Sequence, residues 1–423
     1  MDVFCSFKTG GLMKEYIRLL MIFLLPMGVL LGCGKADEEE TAEQVPTEQI
    51  AIEGTEVEDY SALSYSGLEV LAYEGDSQAQ IMLGRKLEYG DEETAQNFTE
   101  ALSWYQMASD SGDYEGTCAL GYFYLTGTGV EQNLDKAEEL FNAAIDGGVD
   151  NAKVGLARVI LTRGEYLVNL DAQDDEELST EDGEKEEAKD KTSTEEQSED
   201  LKKAVELLTE AAKAEDLDGQ YYLGFIYEHG VGVALDYSKA FDYYSRVTRS
   251  ESMALQDQDS INYSNIALGL MYIKGQGVEV DEDTALEHFE TASENGSAKA
   301  SYYIGQMYES GVGVDRDYEK AMEYYLLAAD KDYAPALNQI GYLYYNGYGV
   351  DVDFASAVYY QKLAALQGYA IAQVNLGFLY ENGYGVERNL ETALSYYEMA
   401  ADSGYEGATE AVVRVKAQIN EKL

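Results

Sequence analysis

"ASYYIGQMYESGVGVDRDYEKAMEYY", Ala300 to Tyr325, decides the fold. Ala300, Ile304 and Tyr308 recur at helical spacing, so the first half reads as a helix with one buried stripe. Gly305 costs that helix about 1 kcal/mol in propensity, a loss that makes sense where a second helix must come close. Gly311 and Gly313 end the helix, because glycine readily takes positive φ at a C-terminal cap. Asp317 then stands where an N-cap acceptor is needed, with a value of about 1 kcal/mol. Ala321 and the later Ala328-Ala329 pair give the second helix a narrow packing face. The stretch predicts an antiparallel helical hairpin.

The hairpin recurs along the chain. Positions equivalent to Gly305 are Gly84, Gly121, Ala157, Gly224, Gly269, Gly341 and Gly377, at successive offsets of 37, 36, 67, 45, 36, 36 and 36. Eight units result, two of them interrupted, with a period in the solenoid range. Three residues past this origin a Tyr stands in six units, and six past it a Gly-x-Gly-Val loop begins. Twelve past it come Asn133, Asp236, Asp281, Asp317, Asp353 and Asn389, each followed four residues later by Ala. Asn97 fills this place in the first unit, and Asp200 is expected to fill it in the third.

Ala300, Gly305, Tyr308, Gly311, Gly313, Val314, Asp317, Ala321, Tyr324 and Tyr325 together resemble the Sel-one-like repeat, a branch of the tetratricopeptide superfamily. The resemblance covers roughly residues 61–405, most of the chain. It implies an all-α, right-handed superhelical solenoid that acts as an adaptor for other proteins. Residues 406–423 are expected to form the capping helix that an open stack requires.

Two insertions interrupt the array. Residues 171–200 carry fifteen acidic residues against three lysines and no aromatic residue, which predicts self-repulsion and disorder. They read as a tolerated loop expansion, with an acidic lure for a basic partner or loose divalent-cation capture as the functional alternative. The second insertion, nine residues before the fifth unit, is expected to bend the solenoid.

The N-terminus reads as an address. Lys14 and Arg18 precede the apolar run Leu19 to Cys33, which describes a secretion signal better than a spanning helix. Its ending, Leu30-Leu31-Gly32-Cys33, resembles the bacterial lipobox. That resemblance implies cleavage after Gly32 and acylation of Cys33, placing the protein on the extracytoplasmic side of a cell membrane. The odd preface before Met13 makes that methionine the expected start. Residues 33–60 read as an acidic, flexible stalk.

Net charge is −51, from 80 acidic and 29 basic residues, which excludes nucleic acid as a partner by phosphate repulsion. Basic or neutral partners suit such a polyanion. Cys5, Cys33 and Cys118 form neither a disulfide framework nor a zinc grouping. The glycine loops lack the Lys of a phosphate site, so no nucleotide or other cofactor is expected. Asp-x-Asp pairs such as Asp315/Asp317 lack the remaining ligands of a calcium loop. The two histidines, His229 and His288, have no catalytic companions at a suggestive spacing, and no enzymatic activity is expected.

A helical wheel puts the positions three before and one after the origin opposite the buried stripe. They hold Tyr122, Tyr221, Phe225, Tyr302, Tyr342, Val374 and Phe378. In tetratricopeptide-like superhelices this face lines the concave groove, where aromatic residues would grip a partner; the alternative is that they only pack between neighbouring repeats. The expected function is a lipid-anchored scaffold that holds protein or peptide partners in that groove. Binding of cell-wall or exopolysaccharide glycan is the alternative, and a hydrolase hidden in the fold is the weakest.

Overall fold

The computed structural model describes residues 59–90, 94–167, 195–250, 252 and 257–421. The expected signal segment, Cys33, nearly all of the stalk and residues 171–194 of the acidic insertion lie outside them.

A short 3-10 turn and helix α1 (Tyr65–Tyr73) precede eight hairpins. These are α2/α3 (Ser77–Tyr89, Phe98–Asp110), α4/α5 (Tyr114–Thr126, Leu134–Asp146), α6/α7 (Ala152–Arg163, Glu195–Lys213) and α8/α9 (Leu217–His229, Tyr237–Thr248). Then follow α10/α11 (Gln258–Lys274, Glu282–Glu294), α12/α13 (Ala298–Ser310, Tyr318–Ala329), α14/α15 (Ala334–Asn346, Phe354–Leu366) and α16/α17 (Ala370–Asn382, Leu390–Asp402). Helix α18 (Glu406–Asn420) follows the eighth hairpin and packs on α17. There is no strand among the described residues, and the fold is an all-α solenoid.

The asparagines and aspartates twelve or thirteen residues past the origin are caps. Asn97, Asn133, Asp236, Asp281, Asp317, Asp353 and Asn389 each accept a backbone N–H in the first turn of the second helix. Asp200 departs from this expectation. Helix α7 already begins at Glu195, so Asp200 lies in its second turn. The Glu-rich run before it propagates a helix well, and its acids favour the N-terminal end of the dipole. Part of the second insertion also forms helix: α10 has 17 residues where most first helices have 13. Both α8 and α9 pack against α10, so the stack continues across the insertion.

Close packing explains the origin glycine. A Cβ on Gly305 would lie 2.5 Å from Cε1 of Tyr325 on the second helix. The same conflict arises between Gly84 and Tyr105, Gly121 and Phe141, Gly224 and Tyr244, Gly269 and Phe289, and Gly377 and Tyr397. In the seventh hairpin Gly341 faces the Gln361 side chain, where a Cβ would lie 2.8 Å from the amide nitrogen, and in the third the position carries a methyl group. That residue, Ala157, shares a core with Leu208, the residue in the ring's place.

A second pairing depends on that ring. Where it is Tyr, its hydroxyl donates to the Glu four residues past the glycine: Tyr105 to Glu88 at 2.7 Å, Tyr244 to Glu228 at 2.7 Å, Tyr325 to Glu309 at 2.5 Å and Tyr397 to Glu381 at 2.9 Å. Where it is Phe141 or Phe289, the same place holds buried Leu125 or Ile273. Each acceptor is present only where a donor needs it.

Successive hairpins meet at the glycine loop. Gly385 has φ +69, and a Cβ on it would stand 2.2 Å from the carbonyl oxygen of Phe354, where the preceding unit's second helix begins. The loop is therefore the seam between units as well as a turn within one.

Candidate binding groove

First helices contact one another across units, α2 with α4, α4 with α6 and α8 with α10, which puts them on the inner side of the coil. Between them lies a cavity of about 1010 Å³ running from the first hairpin to the start of the sixth. Arg85, Cys118, Tyr122, Arg158, Tyr221, Phe225, Ile266 and Leu270 line it, all at the two face positions picked out by the helical wheel.

The walls combine rings and carboxylates. Tyr221 stacks on Tyr263 with centroids 5.7 Å apart and meets Tyr222 edge-on at 4.9 Å. Tyr122 contacts Phe141 at 4.9 Å and donates its hydroxyl to the Asn151 carbonyl at 3.2 Å. Eight carboxylates line the cavity, including Glu88, Glu228, Asp216, Asp218, Asp257 and Asp259, against three cations, Arg85, Arg158 and Lys299. Burial pushes the Asp216 carboxyl up to about 6, opposed by the Gly219 N–H it caps and reinforced by Asp218 and Asp257. Burial also raises Asp218, although Ser260 donates to it and Arg158 lies near. Such a wall favours a cation placed between ring faces and acids.

The remaining polar groups have local partners. Cys118 approaches Asn151 Oδ1 at 3.4 Å, and burial pushes its thiol up to about 12, away from nucleophilic use. The Nδ1 of His229 sits 3.0 Å from the Phe225 carbonyl. His288 Nδ1 sits 2.8 Å from Asn265 Oδ1, its ring stacks on Tyr272, and burial lowers its pKa.

The aromatic positions named from sequence divide into three groups. Tyr122 is half-buried in the cavity wall. Tyr221 and Phe225 also line the cavity but are 8% and 3% exposed, so they shape it more than they reach into it. Tyr302 is 4% exposed and corrects the expectation of a free ring. It packs on Tyr303, Tyr325 and Tyr333, and its hydroxyl accepts from Gln306 at 2.8 Å. Val374 is half-buried. Tyr342 and Phe378, 41% and 40% exposed, lie outside the cavity, Tyr342 edge-on to Tyr348 and Phe378 against Tyr345 and Tyr384.

Arg158 and the Asp216/Asp218 pair also line the cavity, and the aromatic pattern of the sequence does not reveal them. Arg158 occupies the same face position as Tyr122 and Phe225, so the position alone could have flagged it.

The Sel1 repeat model matches eight segments, 77–113, 115–149, 195–216, 217–246, 262–297, 298–333, 334–369 and 370–405. The Sel1-repeat-containing protein YjcO of Escherichia coli strain K12 is similar, with 29% identity over 48% of this chain and 70% of YjcO. The crystal structure of a Sel1 repeat protein from Oxalobacter formigenes superposes with a TM-score of 0.51 at 23% identity, covering 83% of this chain and 90% of that one. With matches spread over most of its length and a hairpin array to carry them, the chain belongs to the Sel1 repeat family.

Proposed function

We propose that this protein is a membrane-tethered scaffold whose concave groove holds basic segments of partner proteins. One observation carries the reading: the cavity over the first five hairpins sets tyrosine and phenylalanine rings beside an excess of carboxylates. A Lys or Arg side chain in such a wall gains ring contact and charge pairing together, with each cation–π contact worth about 0.5–2 kcal/mol. The net charge of −51 steers cations toward it. A neutral glycan would satisfy the rings and leave the carboxylates unpaired, so the peptide reading fits this cavity better.

The tether is Cys33, on the strength of the lipobox-like Leu30-Leu31-Gly32-Cys33. No described helix is long and apolar enough to cross a membrane. In cells fed an alkyne fatty acid, the native protein is expected to carry label and sediment with membranes, whereas Cys33→Ser loses both. Unchanged labelling would remove the lipid from this account.

Groove binding is tested with the immobilised protein and a library of random N-acetylated hexapeptide amides. Retention of Lys- and Arg-rich members, weakening steeply between low and moderate salt, is the expected result. Retention independent of peptide charge would refute the reading.

A further inference from the structure

Arg158 is the feature of the groove that the basic-segment reading leaves unexplained. It projects from α6 into the cavity wall between the rings of Tyr122 and Tyr222, whose centroids lie 5.5 and 5.2 Å from its guanidinium carbon. Its Nε is sealed from solvent without an acceptor. No described residue forms a hydrogen bond or ion pair with any of its nitrogens. Asp218, the carboxylate that acts on it most, accepts a hydrogen bond from Ser260 instead.

The two rings and Asp218 together favour the guanidinium's charge over its burial, yet its Nε–H reaches no acceptor in the free protein. The charge makes sense if a bound molecule completes it.

Resting on the groove reading, we infer that Arg158 receives a carboxylate carried by the bound segment, either its C-terminal carboxylate or that of an Asp or Glu side chain. A planar carboxylate matches the guanidinium fork. The surrounding wall selects the monoanion: Asp216, Asp218, Asp257 and Asp259 line the same cavity and would repel a phosphate dianion about twice as strongly. The same acids take the flanking cations of the segment. The preferred ligand is thus a carboxylate set among Lys or Arg residues.

The test compares native protein with Arg158→Met, which keeps most of the stem and removes the charge. Two readouts are taken: the melting midpoint of the free protein, and retention of the basic hexapeptide library prepared once as free acids and once as amides. Arg158→Met is expected to melt close to the native protein while retaining the preferred peptides about tenfold less. Loss confined to the free acids identifies the C-terminal carboxylate. Loss among amides that contain Asp or Glu identifies a side chain. A lower melting midpoint would make Arg158 a structural residue and overturn the inference. Equal retention by the two proteins, with Lys/Arg selectivity intact, overturns it and leaves the groove reading standing; no selectivity in either protein removes both.

Discussion

Gly305 stays bare because Tyr325 lies over it, and Tyr325 stays in place because its hydroxyl donates a hydrogen bond to Glu309 at 2.5 Å. Ala157, Leu161 and Leu208 form the alternative solution in the third hairpin, with no ring and no acceptor. Gly305→Ala should therefore destabilise by about 1–2 kcal/mol, since overpacking against the ring exceeds the roughly 1 kcal/mol gained in helix propensity. Adding Tyr325→Leu and Glu309→Leu transplants the third hairpin's core and should restore most of that loss in denaturant unfolding. A triple variant no more stable than Gly305→Ala would show that the ring is not what excludes the methyl group. The close approach at Gly305 was legible from sequence, because a helix-interior glycine needs a reason. The linked choice of Tyr with Glu, or Phe with Leu or Ile, was equally present at fixed offsets and becomes meaningful only once the two positions are seen to touch.

Helix boundaries were readable from their caps, and Asp317 holds its predicted place. The exposure of a helix face was not. Wheel geometry gives the direction in which Tyr302 points, but Tyr333 at the start of the next hairpin covers it, and no periodicity reports that approach. The C-terminal helix shows what an element needs to stay docked. Glu381, 7% exposed, accepts from Arg414 Nη2 at 2.8 Å, Gln418 at 2.9 Å and Tyr397 at 2.9 Å. Burial alone would raise its pKa; the bonds from Arg414, Tyr397 and Gln418 outweigh that and hold it below the ordinary carboxylate value. A depressed carboxyl contributes stability above its unfolded pKa and loses it as pH falls through the folded one. Arg414→Met should cost about 1–2 kcal/mol, because the exposed arginine leaves a buried acid behind. Hydrogen exchange should accelerate first in α18; uniform acceleration along the solenoid would contradict this local role.

The whole molecule concentrates charge. Asp216 lies at one end of that effect, raised to about 6 chiefly by burial. A carboxyl raised in the folded state contributes stability that is complete below its unfolded pKa and lost as pH rises through about 6. A bound cation favours the ionised form, so retention of basic peptides should rise between about pH 5 and pH 7. Asp216→Asn keeps the cap on Gly219 and should flatten that step; an unchanged step would assign the titration elsewhere. Fold and repeat number were legible across the whole chain because each hairpin repeats its own packing rules. The groove was only half legible, since its carboxylates converge from hairpins distant in sequence, such as Glu88 on α2 and Asp259 on α10.

Partners that use this groove enter the cavity by their basic segments. This is tested most directly by installing a photocrosslinking phenylalanine analogue at Tyr263, in the cavity wall, and separately at Tyr359, 59% exposed on the second helix α15, in living cells. The account predicts crosslinks from position 263 alone, with the attached partner peptide rich in Lys or Arg. Capture from position 359 with none from 263, or attachment at 263 to neutral or acidic segments, would contradict it.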